Sequence, residues 1–181
     1  MSGADRPAAY VAYSIWLLPA EDDDERLTRV VSELAPLFRT PPFPPHVTVQ
    51  GDLPQRLADV ASAAEKIAAS LPVQRWPVRG IEMSDHHFRT LYAAFDGVQS
   101  FAPLLESAAR LTGTQDGLSP FPHLSLAYGP LDPLRKQSLA AEVAEALPRH
   151  IVFDRVVVAL SGKTIPIPSW RALQSFALPS A

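Results

Sequence analysis

Phe43-Pro44-Pro45-His46-Val47-Thr48-Val49 and Phe121-Pro122-His123-Leu124-Ser125-Leu126 are the two stretches that decide how this chain is read. Each launches an apolar strand from a proline and sets a histidine and a hydroxyl residue two positions apart. Successive side chains on a strand point to opposite faces, so His46 and Thr48 share one face and Val47 and Val49 take the other. His123 and Ser125 pair in the same way against Leu124 and Leu126. Two imidazoles and two hydroxyls meeting in one cleft would form a metal-free acid/base site around a phosphate.

The residues around these stretches repeat an order. Tyr10 to Leu18 reads as a strand closed by Pro19, and Glu21-Asp22-Asp23-Asp24 favours the start of a helix. Leu27, Val30, Val31, Leu34, Leu37 and Phe38 recur at helical spacing. Thr40 to Pro45 ends that helix and leads into the first histidine strand, which closes near Gly51-Asp52. Leu57, Val60, Ala61, Ala64, Ile67 and Ala68 mark a second helix. Val73 to Met83 is a weaker strand in which Pro77 predicts an edge or a bulge. The second half then runs strand Phe88 to Phe95, a helix through Phe101, Leu104, Leu105, Ala108 and Leu111, and strand Phe121 to Tyr128. A helix from Asp132 to Leu147 and strands Ile151 to Leu160 and Trp170 to Ala177 complete it. Each half is strand, helix, histidine strand, helix, strand.

The expectation is an α+β fold: one domain over residues 1–181 made of two pseudo-symmetric lobes, about 10–83 and 88–177. Two small antiparallel sheets flanked by helices would surround a central cleft. The length suits one domain with a substantial core. A formal charge of −3 and a pI near 5.9 argue against a broad basic face for long nucleic acid. No cysteine is present, which excludes disulfides and thiolate zinc sites. With no signal pattern and no apolar stretch long enough to span a bilayer, the chain reads as cytoplasmic.

These residues resemble the 2H phosphoesterase superfamily, defined by two His-x-Thr/Ser motifs in a duplicated bilobal (LigT-like) α+β fold. Tyr13-Ser14-Ile15-Trp16-Leu17-Leu18-Pro19 and His123-Leu124-Ser125-Leu126-Ala127-Tyr128 are most similar to the cyclic phosphodiesterases of plants and yeast. The resemblance runs in order over roughly residues 10 to 177. It implies metal-independent opening of nucleoside 2′,3′-cyclic phosphates to 2′-phosphates, and of ADP-ribose 1″,2″-cyclic phosphate to the 1″-phosphate, with no cofactor.

Such a reaction needs a base for water and an acid for the departing sugar oxygen, and imidazole serves both. Thr48 and Ser125 would donate hydrogen bonds to the phosphate oxygens. Spacing leaves open which histidine is the base; the resemblance implies that His123 activates water and His46 protonates the leaving oxygen. It also places Trp16 and Tyr128 as aromatic substrate contacts, with Phe88 a third candidate against a plain core role. The expected partner is a small cyclic-phosphate nucleotide bound by a monomer, with neither extended nucleic acid nor membrane.

His86-His87 reads as a solvated turn in preference to a substrate contact, His150 as a cap on a helix dipole, and Lys163 as a turn lysine near the cleft. The Glu21 to Glu25 run reads as a solvated helix start, not a metal site. Ser161-Gly162-Lys163-Thr164 is not a P-loop, because Val157 stands where that motif requires glycine. Two rival functions are a 2′-5′ RNA ligase-like phosphodiesterase acting on RNA ends and a non-catalytic nucleotide- or phosphate-binding module. The sequence after Val49 and the acidic balance favour the small substrate.

Overall fold

Prolines and turn residues cut the chain into the alternation the sequence predicts, and a computed structural model describes residues 12–180. In chain order the elements are β1 (Tyr13–Pro19), α1 (Glu21–Phe38), β2 (Val47–Leu53), α2 (Leu57–Ser70) and β3 (Gln74–Met83). They continue with β4 (Leu91–Phe95), α3 (Phe101–Thr112), β5 (His123–Ala127), α4 (Pro133–Ala146), β6 (His150–Leu160) and β7 (Arg171–Ala177). The fold is α+β. Tyr10 and Val11, where the first predicted strand begins, lie outside the described residues.

All strand pairs are antiparallel, in the order β2-β1-β6-β3-β4-β5, with β7 also pairing β6. The two expected sheets are continuous through β3. Its first residues, Gln74 to Pro77, pair with β6, and Val78 to Met83 pair with β4. Pro77 stands at that handover, and the register shifts between Val78 and Gly80, which is the bulge the proline foretold. Exchanging β1, β2, β3 with β4, β5, β6 returns the same strand order reversed. The helices follow suit: α1 packs on β5 and α3 on β2, while α2 packs on β6 and α4 on β3.

Strand alternation assigns the faces. Ile15, Leu17, Val47, Val49, Leu124, Leu126, Val156 and Val158 are buried in one core with Leu27, Val31, Leu34 and Ile67 of the helices. The opposite parity gives a separate cluster of Trp16, Val157 and Ala159 on the helix-free face. His46, Thr48, His123 and Ser125 have that parity too, so the candidate site lies on the face without helices.

Three local expectations change. Phe88 lies in a short helical turn, His87–Arg89, not on a strand. The Thr90 hydroxyl donates to the carbonyls of His86 and His87 and closes that turn, so the ladder starts only at Leu91. His150 caps no helix: α4 ends at Ala146 because Leu147 precedes Pro148 and turns extended, and His150 opens β6. Leu37, on the predicted apolar stripe of α1, is exposed, whereas Ala35 is buried. The acidic start of α1 does more than face solvent, since Asp23 Oδ2 accepts the Val152 N–H at 2.8 Å and ties the helix to β6.

Candidate active site

The prolines before each motif set the histidines. Pro44 and Pro45 hold the chain extended into β2, and His46 Nδ1 donates to the Pro44 carbonyl at 2.7 Å. His123 Nδ1 donates to the Phe121 carbonyl at 2.9 Å, the same bond two residues back. A carbonyl can only accept, so each neutral ring carries its proton on Nδ1 and keeps Nε2 as the free base nitrogen. Both histidines, with Thr48 and Ser125, line one cleft holding about 640 Å³ of open space. That suits a small molecule.

Burial pushes His46 down to about 4, opposed by its carbonyl bond and reinforced weakly by the charge of His123. His123 is also pushed down to about 4, again mainly by burial, with Arg89 and His86 adding repulsion. Both rings are therefore neutral at pH 7. An anionic phosphate between them would favour their charged forms and reverse part of that shift.

The two halves of the site differ in their supports. His46 lies flat on Trp16, with ring centroids 3.7 Å apart at 13°. Trp16 is 2% exposed and lines the floor of the cleft beneath the imidazole. Tyr128 is buried as well, its ring stacked on Phe43 at 3.9 Å. Burial drives its hydroxyl far up. Ser125 Oγ donates to the Phe88 carbonyl at 3.1 Å. A phosphate oxygen would have to win that proton from Phe88.

Of the three aromatics expected to contact substrate, Phe88 alone is half-exposed in the cleft. Its ring stands nearly parallel to Trp170, with centroids 6.2 Å apart. Trp170, which the sequence reading took only as the start of a strand, also lines the cleft and approaches His46 and Tyr128. Nothing in its spacing linked it to the motifs, because the turn Ile167–Ser169 carries it in from the far end of the chain. Its indole N–H donates to the Ile165 carbonyl at 2.9 Å and fixes that turn.

Two polar residues, His86 and Lys163, also line the cleft. His86 does sit in an exposed turn, yet it lines the cleft and acts electrostatically on His123. Lys163 lines the opposite side, its N–H bound to Asp52 Oδ1 at 2.9 Å and its ammonium 3.7 Å from Oδ2. Asp52 itself adopts a left-handed backbone, φ 53°. Among the described residues no three His, Asp or Glu side chains form a group that could hold a metal ion. Among the same residues no helix is long and apolar enough to cross a membrane.

No family model matches this chain, and neither does any curated protein. Solved structures do. The chain is similar to E. coli LigT in its apo form, with a TM-score of 0.62 and 12% identity over 94% of this chain and 98% of LigT. TT0787 of Thermus thermophilus gives a TM-score of 0.61 and 18% identity over 93% of this chain and 98% of its own. A structure described as a phosphoesterase gives 0.55 and 14% identity, covering 94% of this chain and 99% of its own. This chain therefore has the α+β fold of LigT.

Proposed function

We propose that this protein is a metal-independent phosphodiesterase that opens nucleoside 2′,3′-cyclic phosphates to 2′-phosphates, with ADP-ribose 1″,2″-cyclic phosphate as a second substrate. One observation carries the proposal: two imidazoles, each with Nδ1 tied to the carbonyl two residues back, offer Nε2 to one cleft beside two hydroxyls. His123 Nε2 takes a proton from water as the water oxygen attacks phosphorus. The bond from phosphorus to O3′ breaks, and His46 delivers the proton that O3′ needs. His46 is the acid because the face of Trp16 favours an imidazolium. Thr48 and Ser125 stabilise the charge that gathers on the non-bridging oxygens.

The half-exposed Phe88 and Trp170 supply the wall for the base, and the E. coli LigT structure complexed with 3′-AMP supports a nucleoside monophosphate as the scale of ligand. Two repeats, about 10–83 and 88–177, belong to the same reading and draw support from the self-matching strand order. The protein acts as a cytoplasmic monomer.

The test is incubation with a nucleoside 2′,3′-cyclic phosphate in excess EDTA, comparing wild type with His46→Ala and His123→Ala. Turnover by wild type and at least a hundredfold loss in each variant is expected. Absence of turnover, or turnover that both substitutions leave intact, rejects the proposal. Loss in EDTA alone indicates a metal enzyme. An RNA oligomer ending in the same cyclic phosphate, run in parallel, separates action on RNA ends.

A further inference from the structure

Arg89 stands outside the cleft lining, yet it is built into the support of His123. Its guanidinium lies over the Phe121 ring, 4.7 Å from the centroid, and 5.9 Å from that of Tyr92. Phe121 provides the carbonyl that holds His123 Nδ1, and its ring meets the His123 ring at 4.8 Å. Tyr92 closes the group, 5.7 Å from His123 and 5.9 Å from Phe121.

No ion pair among the described residues involves Arg89, and its Nε is buried without a hydrogen-bond partner. Packed over these aromatic faces, the guanidinium keeps its full positive charge beside the second histidine strand. The nearby carboxylate of Glu82 is engaged by Arg79 and by the Tyr92 hydroxyl. Asp85, in the same loop as Arg89, pairs with Lys136. The charged groups that act on the His123 ring are thus the permanent cation of Arg89 and His86. No equivalent cation acts on His46, which rests on Trp16.

We propose that Arg89 is the positioning residue of the second histidine: stacked on Phe121, it fixes the carbonyl that orients His123 and places a permanent positive charge beside the ring. This rests on the assignment of His123 as the base. The charge disfavours an imidazolium there and adds to the burial that already holds His123 unprotonated and ready for water.

The experiment follows the His123 ring by NMR titration and, in parallel, the pH dependence of kcat/KM for a nucleoside 2′,3′-cyclic phosphate. Arg89→Met keeps length and apolar contact but loses the charge; Arg89→Lys keeps the charge and loses the planar stack. With Met, the His123 midpoint and the acidic limb of the profile should both move upward by about one pH unit. With Lys, the midpoint should stay near that of wild type while kcat falls severalfold. An unmoved midpoint in Arg89→Met, or equal movement in both variants, overturns the role of Arg89. Arg89→Gln replaces Met if the latter fails to fold. The titration needs no turnover, so an inactive wild type defeats the phosphodiesterase reading while Arg89 is still judged.

Discussion

His46 must be neutral to be buried and charged to give up a proton, and its surroundings set the terms of that conflict. Below pH 6.5 the unfolded chain takes up a proton that the folded His46 refuses until about pH 4. Stability is therefore constant above 6.5 and falls through that window. Between pH 7 and pH 5 His46 alone should withdraw about 2 kcal/mol. Urea midpoints at the two pH values check this: wild type should lose more stability than His46→Gln, which cannot titrate. The same ring needs Trp16 beneath it. Trp16→Leu should leave the fold intact, because the residue belongs to a small cluster apart from the main core. It should cut kcat at least tenfold with a smaller effect on KM, a split that steady-state kinetics would reveal.

Between elements, what matters is how β2 is docked to the loop that delivers the second histidine. Gln50 is fully buried; its amide donates to the carbonyls of Thr114 and Asp116, and its oxygen accepts from the Thr112 hydroxyl. Gly51 N–H donates to the Gly117 carbonyl at 2.8 Å, and Ser119 N–H to the Val49 carbonyl. Gly117 has φ +75°, and a Cβ there would lie 1.9 Å from the Gly51 carbonyl oxygen. Gly117→Ala should thus cost roughly 3 kcal/mol or more and lower kcat/KM, by displacing β2 from the strand bearing His123. Gly113 has φ +74° but nothing within 4 Å of its Cβ position. Gly113→Ala should cost only about 1 kcal/mol of backbone strain, and thermal melts of the two variants check the difference. The motif strands were legible because proline, alternation and apolar parity all agreed. The link through Gln50 was not, because a glutamine inside a strand has no pattern that distinguishes a buried network from a wet surface.

For the molecule as a whole, the crossed packing joins both sides of the cleft into one unit. α1 covers β5, α3 covers β2, and β3 runs from one side to the other. Neither half closes a core by itself, so the protein should unfold in one transition. Far-UV circular dichroism and tryptophan fluorescence should give the same urea midpoint, since Trp16 and Trp170 report the cleft and Trp76 the core beside Phe153. Midpoints that differ beyond error would mean that the halves separate.

Sequence by itself determined the alternation of elements, the face each side chain takes, and the four residues His46, Thr48, His123 and Ser125. These follow from local spacing, since strand parity and proline geometry need no knowledge of distant segments. Tertiary structure alone decided that the sheet is continuous through β3, that Trp16 and Tyr128 are buried at the cleft floor, that Trp170 reaches the cleft and that Arg89 stands beside His123. Those facts depend on which segments meet across the sheet, and the meeting is set by packing between residues far apart in the chain, where no spacing rule applies.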